Sequence, residues 1–429
     1  MSIWFETALV DGEWADRVRV TVATVEAGTD PLPTDERHAI GIPGLPNVHS
    51  HAFQRGMAGL AEARGPGSDD FWSWRELMYR FVDRLSPDDL EAIAAQAYAE
   101  MLESGFTRVG EFHYLNHAPD GHAYADPAEM AARIAAAAED TGIGLTLLPV
   151  FYAHGGFGGA PAGKAQRRFL NTPDSFANLV ESARGLTDVV GIAPHSLRAV
   201  TPDELRAILP LGGPVHIHIA EQVKEVADCE AWSGKRPVDW LLGEMPVGPE
   251  WTLVHATHVT DAERSALAAS GAVAGLCPIT EANLGDGLFP APAYLDEGGM
   301  IGVGSDSNVR IDAAEELRLL EYGQRLTHRA RNVLAAPKRS TGARLFNAAL
   351  EGGRQSLGAT DDAWISLNPN DPAFANRSGD AILDSWIFAA RAPIDCVWRN
   401  GEKLVENGRH IHADTIATRY RATLARLLA

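Results

Sequence analysis

The sequence predicts an α/β protein: a (β/α)8 TIM-like barrel with a small discontinuous β-sandwich domain from both chain ends. Two observations lead to this fold class. Short apolar stretches alternate with Ala-rich helical stretches through the middle of the chain, and β-rich stretches lie at its two ends. Because strands that alternate with helices form parallel sheets, eight such units favour a closed barrel over a doubly wound sheet.

The barrel is expected over residues 46–355. Several of its helical stretches begin with Ser/Thr/Asp-Pro or Thr-Asp and end on Gly, the residues preferred at helix N-caps and beyond helix C-termini. The apolar runs between these helices are the candidate strands, at residues 45–49, 107–112, 144–151, 189–195, 214–219, 251–256, 272–277 and 300–305.

Residues 1–45 and 356–412 are expected to pair into the small β domain. The first contains the alternating stretch RVRVTVATV, and the second contains NGEKLVENG, which is typical of a turn, a strand and a second turn. Chain termini often lie close together, which favours pairing over two unrelated flaps. A C-terminal helix is expected over 413–429.

Composition limits the function classes that this chain can belong to. It has 429 residues, 45% of them hydrophobic, and a formal net charge of −20. This supports a large core and argues against binding to nucleic acid or to an anionic membrane surface. No long apolar run suits a membrane span, the N-terminus lacks signal-peptide features, and three scattered cysteines favour a reducing compartment. We therefore expect a cytoplasmic enzyme or binding protein.

Two histidines, His49 and His51, close the first barrel strand in the stretch NVHSHAFQR. Side chains at i and i+2 leave the same face of a strand, so both imidazoles could bind one metal ion. They could also be solvated histidines beside a loop. The other strand ends decide between these two interpretations.

Three further strand ends carry groups that can bind a metal or move a proton. HIHIAE closes the fifth strand with His218 and Glu221, LVHATH closes the sixth with His255, and VGSDSN closes the eighth with Asp306. His218 is favoured over His216 as a ligand because it lies nearer the strand end. His216 is expected one layer below.

These groups all lie where active sites of parallel barrels are found, at the C-terminal ends of the strands. Three imidazoles and a carboxylate, with an open position for water, suit a catalytic zinc ion or a similar divalent ion. The second histidine of LVHATH, His258, is interpreted as a loop residue or as a residue that supports the ligands from behind.

The four motifs together resemble the amidohydrolase superfamily, and the His-x-x-Glu of strand five resembles its deaminase branch. Binuclear members carry a bridging lysine on strand four. Residues 185–200 contain no lysine, which favours one metal. The resemblance implies that one divalent ion, Zn2+ by preference, is bound by His49, His51, His218 and Asp306.

The same resemblance implies the catalytic roles. Asp306 and His255 would orient and deprotonate the hydrolytic water, and Glu221 would carry a proton to the leaving nitrogen. Carboxylate and imidazole groups suit this work because their pKa values can be tuned close to neutrality.

A finer resemblance is to formimidoylglutamate deiminases of histidine degradation, through HSHAFQRGMAG, FWSWRELMY, EFHYLNH, APHSLRAV, HIHIAEQ and GSDSNVRID. It implies hydrolysis of N-formimidoyl-L-glutamate to N-formyl-L-glutamate and ammonia. The substrate has two carboxylates, for which arginine offers planar paired donors. The substrate contacts implied by the resemblance are Gln54, Arg75, Tyr114, His195 and Arg198.

Structural alternatives stay open for these contacts. Arg75 could pair with Glu76 or Asp83 on its own helix. His195 could hold the loop of Arg198 through a backbone hydrogen bond. The tryptophans of WSW are interpreted as core or lid packing rather than as a stacking platform.

Other functions and features also stay open. A deaminase of the same branch could act on a nucleobase such as guanine or cytosine, which needs stacking and amide donors more than two arginines. A non-catalytic barrel scaffold is a second alternative, and a ring-opening amide hydrolase is a third. The glycine-rich loop at 154–163 is either a lid or a surface excursion. A homodimer is expected from the fold.

Overall fold

The computed structural model describes residues 2–63, 70–359, 361–391 and 393–429. The strands in chain order are β1 (Ser2–Val10), β2 (Glu13–Thr21), β3 (Val25–Glu26), β4 (Glu36–Pro43), β5 (Leu45–Ser50), β6 (Phe106–His113), β7 (Gly144–Phe151), β8 (Val189–Val190), β9 (Ala193–Pro194), β10 (Val215–Ile219), β11 (Trp251–His255), β12 (Val273–Leu276), β13 (Met300–Val303), β14 (Ala363–Leu367), β15 (Ile394–Arg399), β16 (Glu402–Glu406) and β17 (Arg409–His410).

The α-helices in chain order are α1 (Phe71–Val82), α2 (Pro87–Ser104), α3 (Glu129–Thr141), α4 (Pro173–Ala183), α5 (Pro202–Ile208), α6 (Val223–Ser233), α7 (Pro237–Glu244), α8 (Asp261–Ser270), α9 (Pro278–Leu284), α10 (Ala291–Asp296), α11 (Ala313–His328), α12 (Thr341–Leu357), α13 (Asp380–Phe388) and α14 (Ala413–Leu427). Within the described part of the chain, no helix is long and apolar enough to cross a membrane.

The predicted barrel is confirmed. Parallel strands follow one another in the order β10-β11-β12-β13-β5-β6-β7-β8. Closure comes from β9, which pairs with β7, and from parallel bridges that join Ile192 to Val215 and Ser196 to His218. All the strand ends therefore meet at one rim of a closed ring.

The fourth predicted strand, residues 189–195, is two short pieces, β8 and β9, rather than one continuous strand. Gly191 lies between them, where a Cβ atom would come within 2.3 Å of the carbonyl oxygen of Pro214. Only glycine permits this close approach of two backbones. This close approach explains why the strand pairing is interrupted where the barrel closes.

Helix starts confirm the cap signals of the sequence. The side chains of Thr201 and Thr260 each accept a hydrogen bond from the backbone N–H of a glutamate three residues later, at the start of α5 and of α8. Each glutamate side chain accepts a hydrogen bond from the backbone N–H of the threonine, so both sites are capping boxes. Gly271 ends α8 with φ 77°, a conformation that glycine adopts without strain.

The second sheet joins the two chain ends, as the pairing prediction requires. Its order is β17-β16-β15-β14-β4-β1-β2-β3, and β4 pairs with β14 in antiparallel register, with Ile42 opposite Ile365. These two isoleucines belong to the main core, whereas Phe5, Trp364 and Trp398 form a small separate core. The sheet therefore buries side chains from both of its faces. The exact domain limits stay a prediction.

Arg108 of β6 ties the N-terminal end of the barrel to the second sheet. Its side chain is 2% exposed, with Nε 2.6 Å from Asp361 and Nη2 2.7 Å from Asp188. Nη1 also donates to the carbonyl oxygen of Leu145 at 3.0 Å. Burial favours the neutral form of Asp361, but Arg108 outweighs it and lowers the pKa of that carboxyl.

Replacing Arg108 with methionine is expected to lower the free energy of unfolding by about 3–5 kcal/mol, because one partner of a buried pair is removed. The measurement is urea unfolding followed by fluorescence. Arg133→Met is the matched control, since Arg133 makes surface pairs, including Glu129, that are worth about 1 kcal/mol or less. Equal losses in both variants would contradict a special role for the buried arginine.

Candidate metal centre and active site

The four predicted metal ligands meet at the C-terminal rim of the barrel. His49 lies in β5 and His51 directly follows that strand, His218 lies in β10, and Asp306 follows β13. One ligand atom from each of these buried side chains lies within 4.8 Å of every other. The Nε2 atom of His49 is 3.2 Å from that of His51 and 3.0 Å from that of His218.

Backbone carbonyl groups orient two of the imidazoles. His51 Nδ1 lies 2.9 Å from the oxygen of Phe112, and His218 Nδ1 lies 3.0 Å from the oxygen of His195. A carbonyl oxygen can only accept, so each Nδ1 carries the hydrogen and each Nε2 presents a lone pair to the cluster. Supporting partners of this kind are typical of histidines that bind a metal.

Burial controls the charge of the cluster. It lowers the pKa of His49 to about 3 and holds that of His218 well below the ordinary value, so both imidazoles are neutral at pH 7. Burial alone would raise the pKa of Asp306, but the His49 side chain outweighs it and keeps that carboxylate ionised. Lone pairs and one anionic oxygen therefore converge on one point. This donor set fits a divalent cation such as Zn2+.

The backbone near the cluster adopts conformations that L side chains rarely take. His255 has φ 68° and Asp306 has φ 45°, both in the left-handed region. Asp306 is held there because its N–H donates to the oxygen of His49 and its oxygen accepts from the N–H of His51, both at 2.9 Å. The Asn308 side chain donates to the oxygens of His51 and Asp306 at 3.1 Å. Strain that the surroundings maintain in this way is common at functional sites.

Glu221 and His255 face the cluster from the next two strand ends. His255 Nε2 lies 4.0 Å from a Glu221 oxygen and 3.8 Å from Asp306 Oδ2. Burial raises the pKa of Glu221 to about 7, although the nearby His255 and Arg198 side chains oppose this rise. A carboxyl with this pKa can both give and take a proton at neutral pH.

A cavity opens above these groups. The carboxylate and imidazole groups of Glu221, His255 and Asp306 lie in its wall. All five side chains that the sequence marked as substrate contacts also line it, namely Gln54, Arg75, Tyr114, His195 and Arg198.

The Nε atoms of the two arginines are buried and have no hydrogen-bond acceptor among the described residues, although Arg198 Nη2 lies 3.9 Å from Glu221. The alternative pairing of Arg75 does not occur, since no ion pair among the described residues joins it to Glu76 or Asp83, and Asp83 instead lies 3.0 Å from Arg167. Burial of unpaired guanidinium N–H groups is costly, so an anion is the expected partner.

Aromatic side chains contact the two arginines and a further polar side chain of the cavity lining. The Trp72 ring lies 4.5 Å from the guanidinium carbon of Arg75 and 5.8 Å from that of Arg198. A π face next to two cations offsets part of their repulsion. Elsewhere in the cavity lining, Gln54 Nε2 donates to the Tyr114 hydroxyl at 3.0 Å. Two substrate-contact candidates are thus also bonded to each other.

Several cavity residues were not found from the sequence. Trp74 lines the cavity rather than only packing, and Tyr79 and Tyr152 join it. The spacing of four residues between Arg75 and Tyr79 was the available signal in α1. Tyr152 follows β7, so its place at a strand end could also have marked it.

The remaining sequence interpretations concern residues outside the cluster. His216 is buried one layer below, with Nε2 2.9 Å from the Ser356 oxygen, as expected. His258 lies in the loop after β11, and its carbonyl oxygen accepts from Arg236. In the glycine-rich loop, Phe157 stacks on Trp232 of α6 at 5.5 Å between ring centroids. Residues 154–163 do not line the described cavity.

A closed parallel barrel with three imidazoles and a carboxylate at its rim is typical of metal-dependent hydrolases. The amidohydrolase family pattern matches residues 40–350, and the chain therefore belongs to the amidohydrolase family. It is 48% identical to the formimidoylglutamate deiminase of Pseudomonas aeruginosa over 450 aligned positions, covering 100% of this chain and 99% of that protein.

Two further comparisons extend this result. The crystal structure of an amidohydrolase from Brucella melitensis is 52% identical, with a TM-score of 0.97 and 100% of both chains covered. A 5-methylthioadenosine/S-adenosylhomocysteine deaminase of Natronomonas pharaonis is 28% identical over 76% of this chain and 70% of that protein. The predicted resemblance to amidohydrolases, and within them to formimidoylglutamate deiminases, is confirmed.

Proposed function

We propose that this chain hydrolyses N-formimidoyl-L-glutamate to N-formyl-L-glutamate and ammonia, with one zinc ion bound by His49, His51, His218 and Asp306. The observation that carries the proposal is a pair of half-buried arginines, Arg75 and Arg198, whose Nε atoms are buried in the wall of the cavity that holds Glu221. The 48% identical relative, which is named a formimidoylglutamate deiminase, supports the same substrate.

Charge complementarity explains the choice of substrate. Its two carboxylates are anions, and two arginines on one side of the cavity offer planar donors for them. Its formimidoyl end carries a C=N group that gains a proton readily and becomes a cation. The Glu221 carboxylate, which lies near the cluster, can bind this cationic end. Burial by itself would lower the pKa of Arg198, but the nearby Glu225 and Glu221 carboxylates outweigh this effect and raise it. The guanidinium is therefore charged and can bind an anion.

The chain's own groups handle the protons. A bound zinc ion would lower the pKa of a coordinated water to about 7. Asp306 and His255 both line the cavity, with their side chains 3.8 Å apart, and they would orient that water and take its first proton as it adds to the formimidoyl carbon. That proton and the remaining hydroxyl proton reach the terminal nitrogen through Glu221, and the C–N bond to ammonia breaks as the C=O bond forms. The N-formyl product keeps the other nitrogen.

The test is ammonia release from N-formimidoyl-L-glutamate by zinc-loaded protein, with guanine and cytosine assayed alongside. Selective release from the dicarboxylate would support the proposal. Release of ammonia only from a base would contradict the proposed substrate but would leave the metal-dependent hydrolysis in place. A nucleobase substrate would agree with the more distant relative, the deaminase of N. pharaonis. Protein that binds no metal and releases no ammonia would favour the scaffold alternative. Zinc as the native metal, histidine degradation, the cytoplasmic location and the homodimer stay predictions.

Replacing Arg198 with alanine is expected to raise KM for the dicarboxylate at least about 30-fold, because loss of one partner of a buried charge pair costs about 2–5 kcal/mol. A monocarboxylate analogue that lacks the contacted group should show a far smaller change. Arg75→Ala should behave in the same way, and Arg80→Ala is the control because Arg80 is exposed on the same helix. Equal KM increases for both substrates would argue against recognition of one carboxylate.

A further inference from the structure

The end of the seventh barrel strand carries a buried carboxylate that the proposed mechanism has not used. Glu281 lies in α9, directly after β12, and its side chain is 6% exposed. Its Oε1 atom accepts a hydrogen bond from the backbone N–H of Cys277 at 2.9 Å, and its own N–H donates to the Cys277 oxygen at 2.9 Å. The carboxylate is therefore fixed at the turn from strand to helix.

The same oxygen contacts His255. Glu281 Oε1 lies 3.2 Å from His255 Nδ1, and the His255 side chain is 1% exposed. An ionised carboxylate only accepts hydrogen bonds, so His255 Nδ1 carries a hydrogen and its Nε2 is directed to Glu221 and Asp306. This arrangement matters because only Nε2 can reach the reacting water or substrate.

The backbone conformation of His255 also requires neighbouring residues to hold this histidine in place. Its φ of 68° lies in the left-handed region, which a residue with a side chain occupies only when its surroundings hold it there. The N–H of the next residue, Ala256, donates to the oxygen of Ile219, which fixes the chain but not the ring. Glu281 supplies the contact that fixes the imidazole itself.

We propose that Glu281 is the positioning residue of His255, holding the imidazole as the Nδ1–H tautomer with Nε2 turned to the reaction centre. The inference deepens the proposed function and rests on it for its kinetic readout. Loss of the carboxylate would leave a ring that can rotate or change tautomer, so that a share of the molecules would no longer direct Nε2 to the reaction centre.

A purely structural role is the alternative, because the same oxygen also binds the Cys277 N–H. Glu281→Leu removes both contacts, whereas Glu281→Gln keeps an acceptor oxygen and removes the charge. Glu316→Gln is the matched control. Glu316 is a fully buried carboxyl of α11 whose Oε2 accepts from the N–H of Ile279, in the same turn. No hydrogen bond or ion pair joins it to His255 in the described part of the chain.

The experiment measures kcat, KM, zinc content and thermal unfolding of the zinc-loaded variants, together with imidazole 15N chemical shifts that report the tautomer of His255. Its signal is assigned by its absence from a His255→Gln protein. Glu281→Leu is expected to lower kcat up to roughly 100-fold and Glu281→Gln roughly 10-fold, with KM and zinc content unchanged. The His255 signal should leave the Nδ1–H position in Glu281→Leu, while Glu316→Gln matches the wild type.

Wild-type kcat in both Glu281 variants, or a kcat loss that only follows loss of zinc or of folded protein, would overturn the proposal. If Glu281→Leu does not fold, wild-type kcat in Glu281→Gln overturns it alone. Failure of the proposed function is a separate result, because the wild-type protein would then release no ammonia from N-formimidoyl-L-glutamate. In that case the 15N shifts, which need no substrate, still decide whether Glu281 sets the tautomer of His255.

Discussion

Replacing Glu221 with glutamine is expected to lower kcat roughly 1,000-fold while one equivalent of zinc stays bound. Proton transfer by a positioned side chain contributes about 100- to 10,000-fold to a reaction rate, and glutamine cannot transfer a proton. The change is nearly isosteric, so the 3.9 Å approach of Arg198 to this side chain should persist. KM should therefore change much less than kcat. The measurement is steady-state ammonia release together with metal analysis.

The control for Glu221→Gln is Glu316→Gln, which removes a buried carboxyl that does not line the cavity. Both variants replace a buried carboxyl with an amide, so a general effect of losing a buried carboxyl would appear in both. Near-normal turnover in Glu221→Gln would rule out the proton-transfer role. Loss of zinc from that variant would instead place Glu221 among the groups that maintain the metal site.

The pattern of strands and their ends could be predicted because it depends on local sequence. Two-residue alternation sets which side chains share a strand face, and parallel barrels bring all C-terminal ends to one rim. Those two rules were enough to bring His49, His218 and Asp306 together. The choice of His218 over His216 followed from the same geometry, since two residues along a strand is one layer of the barrel.

Other features depend on contacts between distant parts of the chain. The break in the fourth strand comes from the approach of Pro214 to Gly191, which no local pattern contains. Whether Arg75 paired with Asp83 could not be known from their spacing, because Arg167 takes that carboxylate. Glu281 gave no signal either, since its contact with His255 requires the turn after β12 to be in place.

Replacing His218 with glutamine is expected to weaken zinc binding more than about 100-fold, which is the upper end of what loss of a supporting partner alone costs. Activity should fall to background at ordinary zinc concentrations. His216→Gln is the matched control, because His216 lies in the same strand and contacts the Ser356 oxygen instead of the cluster. The measurements are bound zinc per chain and the shift in thermal unfolding when zinc is added.

The two variants separate the ligand assignment from general damage to β10. A ligand that binds only the folded state stabilises it by about 2.7 kcal/mol at 100 times its Kd. Zinc should therefore raise the unfolding temperature of the His216→Gln protein, as it does that of the wild type, and leave that of His218→Gln almost unchanged. If His218→Gln keeps one zinc and the response to it, the cluster of converging lone pairs is not the metal site. Because this result needs no substrate, it tests the centre independently of the choice between formimidoyl-glutamate and a base.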